Sequence, residues 1–211
     1  MLHHNCLQQT EEWFELKTNN PFSASNADAI ATAGKGLETL VDDALTEKYS
    51  SAVKERYTNK DLERGNELEP QARAIYELEN DVVVKEVGFI TNANIAELSG
   101  VSPDGLVGDD GMIEIKSPND KIYIAKLVEL EIKKEFKIDS KYEWQMQMQM
   151  LFAERNWNDF MYYNPNFTVS ILKKRIYEDK LKQQKIITGL YIGIKMYKEK
   201  EAIIKKALNI K

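Results

Sequence analysis

The chain has 211 residues, 43% of them hydrophobic and 30% charged, with a net charge of −5. This is the balance of a globular domain whose core needs no crosslinks. A single cysteine, Cys6, excludes an internal disulfide framework and a four-cysteine zinc or iron–sulfur site within the chain, and no apolar run reaches the roughly eighteen residues of a membrane span.

The first ten residues have neither the basic start nor the apolar centre of a signal peptide, so a cytoplasmic setting and no membrane partner are expected. His3 and His4, the only imidazoles, are expected in a loose N-terminus. Residues 10–17 read as a short helix with Trp13 and Leu16 on its apolar side. After Pro21, Ser23 or Ser25 is placed to cap a second helix through Ile30. Gly34 and Gly36 mark a loop. Residues 37–57 carry apolar side chains at helical steps, and residues 61–78 read as a further helix despite Gly65 and Pro70.

The period then shortens. Residues 82–90 and 95–101 read as strands around a turn at 92–94, and the segment 102–105 breaks the second. Leu106 and Val107 resume an extended piece, 108–111 turns, and 112–116 is a short strand closed by Ser117 and Pro118. The middle of the chain is thus a β-meander between helices. Residues 122–136 read as a helix. Residues 142–152 alternate Gln and Met like a strand, yet both residue types favour helix, and helix is the expectation. Strands at 159–163 and 167–176 follow, then a long helix over 178–208, bent near Gly189 or Gly193. Residues 166–211 carry twelve Lys or Arg against four Asp or Glu, net +8, which leaves 1–165 at −13. The acidic part suits metal-binding carboxylates and the basic part suits phosphate.

Chemistry concentrates on Asp104, Glu114 and Lys116. Glu114 and Lys116 lie two apart in a strand, so with Met112 they share one face, while Ile113 and Ile115 point into a core. The turn at 108–111 folds this strand back beside Asp104, bringing the two carboxylates together. Such a pair holds a hard divalent ion, Mg²⁺ or Mn²⁺, with the Ile115 carbonyl as a third ligand. The ion suits phosphodiester hydrolysis, with Lys116 orienting the bound water, aiding its deprotonation or stabilising developing charge. Glu69, on its helix, could add a third carboxylate directly or through water. Gln145 could hydrogen-bond the scissile phosphate or the attacking water, and Lys17 and Ser25 could receive a terminal phosphate.

From the Glu12-Trp13 segment to the Asn164-Pro165 turn, the chain resembles the phage-type alkaline exonucleases, the YqaJ-like viral recombinase nucleases of the restriction-endonuclease-like superfamily. The motifs are Ser23-Ala24-Ser25, Gly65-Asn66-Glu67-Leu68-Glu69-Pro70-Gln71-Ala72, Ser102-Pro103-Asp104-Gly105, Glu114-Ile115-Lys116-Ser117-Pro118 and residues 142–147. Their order and spacing carry the resemblance.

The resemblance implies an α/β (α+β) fold, a central mixed sheet flanked by helices. One nuclease domain would span 1–211, with 177–211 its basic helical C-terminal segment. It implies that Asp104 and Glu114 bind catalytic metal, that Lys116 is the catalytic lysine, that Glu69 completes the acidic site, and that Gln145 sits near the water or scissile phosphate. Lys17 stands where the family has an arginine on the DNA 5′-phosphate, with Ser25 a nearby hydroxyl donor. Arg64, where a relative has tryptophan, is a possible DNA-end contact. The implied activity is Mg²⁺-dependent 5′-to-3′ digestion of one strand of linear double-stranded DNA, leaving a 3′ overhang for single-strand annealing recombination. The implied partners are DNA ends, two further copies in a ring-shaped homotrimer, and a single-strand annealing protein. Competing expectations are a sequence-specific endonuclease and a catalytically silent DNA-binding or assembly protein. The cluster-bearing nucleases of the same superfamily need four cysteines for an iron–sulfur cluster, which this chain lacks.

Overall fold

The computed structural model describes residues 1–51 and 60–210. In chain order the elements are β1 (Leu2–His4), α1 (Glu11–Asn19), β2 (Phe22–Ser23), a 3₁₀ turn (Ala24–Asn26), α2 (Ala27–Thr32), α3 (Lys35–Tyr49), α4 (Lys60–Asn80), β3 (Val84–Lys85), β4 (Phe89–Thr91), β5 (Ser99–Gly100), β6 (Gly105–Val107), β7 (Gly111–Lys116), α5 (Asp120–Lys133), α6 (Ser140–Ala153), β8 (Trp157–Tyr163), β9 (Ile171–Tyr177) and α7 (Lys180–Ala207).

A five-stranded sheet in the order β3-β6-β7-β8-β9 organises the chain. β7 pairs antiparallel with β6 and parallel with β8, so the sheet is mixed, and the parallel crossover carries α5 and α6. The β6–β7 turn is set by Gly108, whose φ of +52° lies in the left-handed region that favours glycine. Alternation along β7 and β8 sends side chains to two cores. Met112, Phe160 and Tyr162 join the larger one with α2, α3, α6 and α7. Ile113, Ile115, Met161 and Tyr163 pack with Ala72 and Tyr76 of α4.

Tyr76 also donates its hydroxyl to Asp159 Oδ2 at 2.8 Å, and Arg175 clasps the same buried carboxylate through Nε at 2.7 Å and Nη2 at 2.8 Å. This clasp ties α4 to β8 and β9. On the other face, Gly189 lets α7 lie against α2: a Cβ there would stand 1.8 Å from the Ile30 carbonyl oxygen.

Several expectations need correction. The N-terminus is not loose: β1 pairs antiparallel with β4, and His4 Nε2 meets Thr91 Oγ1 at 3.0 Å. The strand expected at 82–90 is split into β3 and β4, which lie in different sheets. The strand expected at 95–101 is reduced to β5, parallel to β2, and a bridge from Val101 to Ile90. Its apolar residues pack as a loop on the core instead. Neither Ser23 nor Ser25 caps α2; Ser23 precedes the 3₁₀ turn without a side-chain cap, and the two hydroxyls meet at 3.0 Å. Gly34 is the N-cap of α3 and Gly36 lies inside it; α3 ends at Tyr49, and of the helix expected at 37–57, residues 52–57 lie outside the described residues. Helix is the outcome for α6. It is buried almost all round between sheet and helices, which is why its alternation gave no helical stripe.

Candidate active site

Register places the carboxylates. Gly105 of β6 faces Ile113 of β7, so the next step along the hairpin sets Asp104 beside Glu114. Asp104 Oδ2 accepts the Ile115 N–H at 2.6 Å, which locks the loop residue onto the strand. Lys116 Nζ stands 2.5 Å from Glu114 Oε1. α4 lies over this end of the sheet and brings Glu69, and the Glu69 and Asp104 side chains line one cleft of about 540 Å³ with Ile115, Lys116, Lys141 and Tyr142. Arg73, one turn along α4, donates from Nη2 to Glu69 Oε1 at 2.6 Å and also pairs with Glu86.

Glu114 is fully buried. Its Oε1 accepts from Gln145 Nε2 at 2.6 Å and its Oε2 from Gln149 Nε2 at 2.7 Å, both on α6. Sequence reasoning found Gln145 and missed Gln149. The four-residue spacing that stacks them on one helix face was the available signal. The residue between them, Gln147, turns away to accept the Asp179 N–H at 2.7 Å and to donate to the Tyr177 carbonyl at 2.8 Å.

The electrostatics follow from this crowding. Burial, then the nearby Glu114 and Glu69 carboxylates, hold the Asp104 carboxyl well above the usual carboxylate range. Burial also raises Glu69, against the opposing pull of the Arg73 guanidinium. For Lys116 burial acts downward, but Glu114 and Asp104 outweigh it, so the ammonium binds its proton more tightly than an ordinary lysine. Lys116 Nζ also lies 5.1 Å from the centroid of the Tyr142 ring.

Among the described residues, no three His, Cys, Asp or Glu side chains are gathered as a closed metal cage. The donor set nevertheless fits Mg²⁺, which takes one or two carboxylates and completes its shell with water and substrate phosphate. Only oxygen donors are offered, and the carboxylates raise one another's proton affinity, a burden that a cation relieves.

The structure does not gather every expected residue here. Lys17 and Ser25 line a separate pocket of about 490 Å³, with Ser23 and Asn26, that shares no lining residue with the cleft. Lys17 Nζ sits 4.5 Å from the centroid of the Trp13 ring, and burial lowers its pKa against an opposing pull from Glu47. Arg64 lies beside Gly65 of the cleft but reaches toward α5, with Nη2 3.8 Å from Asp120 Oδ1.

Residues 12–156 match the YqaJ-like viral recombinase domain. The alkaline exonuclease LHK-Exo from Laribacter hongkongensis is 31% identical, with 95% of this chain and 99% of that chain covered and a TM-score of 0.80. LHK-Exo in complex with dAMP gives 30% identity, 95% and 98% coverage and a TM-score of 0.81. A phage-related exonuclease from Haemophilus somnus 129PT, 17% identical over 87% of this chain and 96% of that one, shares the fold with a TM-score of 0.65. No curated protein matches the chain significantly. The mixed sheet flanked by helices is the restriction-endonuclease-like fold, and the chain belongs to the YqaJ-like viral recombinase, or phage-type alkaline exonuclease, family.

Proposed function

We propose that the protein is a metal-dependent exonuclease that digests one strand of linear double-stranded DNA from its 5′ end and leaves a 3′ overhang for single-strand annealing. The observation that carries this reading is the meeting of Asp104, Lys116 and Glu69 in one cleft, with the buried Glu114 carboxylate directly behind it against Lys116 Nζ. Asp104 and Glu114 would hold Mg²⁺ or Mn²⁺, with the Ile115 carbonyl and with Glu69 directly or through water. When bound, the ion polarises the phosphate and lowers the pKa of its water. Lys116 would orient the attacking water, aid its deprotonation, or offset negative charge as the phosphorus gains a fifth oxygen. Gln145 donates from Nε2 to Glu114 Oε1, and its second amide hydrogen would serve the scissile phosphate or attacking water. Lys17 and Ser25 take the 5′-phosphate in their own pocket, with Arg64 a further end contact.

The same reading makes residues 1–211 one nuclease domain with a basic C-terminal helix, acting in the cytoplasm as a homotrimer on DNA ends with a single-strand annealing protein. Purified protein given Mg²⁺ should digest linear duplex DNA and spare the closed circle. Glu114→Gln should lower kcat by about 10²–10³-fold with little change in DNA affinity. Cutting of the circle would replace the reading with an endonuclease, and undiminished digestion by Glu114→Gln would remove Glu114 from the chemistry.

A further inference from the structure

We propose that Gln149 and Asn158 are positioning residues that fix the Glu114 carboxylate for the divalent cation, through a directed relay of side-chain amides from β8 through α6 to β7. This deepens the reading above and rests on Glu114 being a ligand.

Three residues form the relay, and each is fully buried. Asn158 Nδ2 donates to Gln149 Oε1 at 3.1 Å, and Gln149 Nε2 donates to Glu114 Oε2 at 2.7 Å. A buried glutamine can rotate its amide by half a turn at little steric cost, so its partners decide which end faces the carboxylate. Here they agree. Turning Gln149 over would set its oxygen against Glu114 Oε2 and its NH₂ against the NH₂ of Asn158, two repulsive contacts. Asn158 is itself placed by the parallel register that sets it opposite Met112, on the same sheet face as Glu114.

The arrangement is not one that packing alone would select. Among the described residues, the buried Asn158 Oδ1 has no hydrogen-bond partner, a cost that an apolar side chain of similar shape would avoid. What Asn158 supplies is a donor to Gln149 Oε1, which favours the same orientation as the Gln149 Nε2 contact with the Ser102 carbonyl at 3.4 Å. Gln149 and Gln145, four residues apart on α6, then grip the two oxygens of Glu114 from one side. The carboxylate plane is thereby fixed before any cation arrives. Partners of this kind, one step behind a ligand, change metal affinity or activity by about 10–100-fold when removed.

The test uses the full chain and the variants Gln149→Met, Asn158→Leu and their combination. Mn²⁺ affinity is measured by calorimetry, alongside kcat, KM for linear duplex DNA, and the thermal midpoint without metal. Each single variant should weaken Mn²⁺ binding by about 10–100-fold with KM for DNA little changed. The double variant should be no worse than Gln149→Met, because Asn158 acts through Gln149. Unchanged Mn²⁺ affinity with only a lowered midpoint, or fully additive losses, would overturn the relay. If a variant does not fold, ¹⁵N-glutamine-labelled wild-type protein decides. The Gln149 side-chain amide, identified by its proximity to Glu114 and Asn158, should shift on Mg²⁺ addition, and an unmoved signal would overturn the proposal. Glu114→Gln is the control for the parent reading: if it binds Mn²⁺ as wild type does, Glu114 is not a ligand, and both fall.

Discussion

Asp104 and Glu69 carry opposite burdens with and without a cation. In the unfolded chain their carboxyls ionise near about pH 4, whereas burial and mutual repulsion raise both in the fold. Below the unfolded value both states hold the protons and nothing is lost. As pH rises through the raised folded values, the fold must release protons it holds more tightly than the unfolded chain does, and stability falls. Arg73 and Lys116 temper this without abolishing it. A divalent cation takes over the neutralisation, so the rise in thermal midpoint produced by Mg²⁺ should be larger at about pH 8 than at about pH 5. An equal rise at both would contradict the shared electrostatics of the site. At this scale the sequence was informative where residues meet through local geometry. Asp104, Glu114 and Lys116 converge by a hairpin and a two-residue strand period. Gln149 left only its four-residue spacing from Gln145 as a signal, and Asn158 left none, because its approach to Glu114 depends on β8 pairing with β7 across two helices.

At the scale of elements, the helices were legible because each is long enough to show its period or to be decided by propensity. α4, α5, α6 and α7 lie within a few residues of their expected bounds. The short strands were not. β1, β2, β4 and β5 span two or three residues each, and distant partners create them rather than their own composition. The clasp of Tyr76 and Arg175 on Asp159 is another product of tertiary context, and it holds α4, hence Glu69, against the sheet. Asp159→Ala would strand a buried Tyr76 hydroxyl and release Arg175. Loss of a buried ion-pair partner costs about 3–5 kcal/mol. Because Arg175 keeps 42% of its side chain exposed, the lower end of that range is expected in chemical denaturation. Tyr76→Phe leaves both Arg175 contacts and should cost about 1.5–3 kcal/mol. A loss below about 1 kcal/mol for Asp159→Ala would show that the clasp does not hold α4.

For the whole molecule, charge separates along the chain. The basic terminal segment rides on α7, which packs over α2 and α3 rather than extending away from the body. Among the described residues, no helix is long and apolar enough to cross a membrane. In the proposed homotrimer, closed cyclic symmetry would keep the enzyme on its DNA between cuts. Light scattering over a concentration series should therefore give the mass of three chains, and a persistent mass of one chain would rule out a stable ring. Polarity is the sharper consequence, since the Lys17 pocket and the carboxylate cleft are separate and would act on one strand in a fixed order. The most direct measurement follows linear duplex DNA labelled separately at the 5′ and 3′ end of one strand, in Mg²⁺ and in excess chelator. The 5′ label should be released first, chelator should stop its release, and Lys17→Ala should reduce the preference for a 5′-phosphate over a 5′-hydroxyl. Release of the 3′ label first, or digestion that continues unchanged in chelator, would contradict the proposed function.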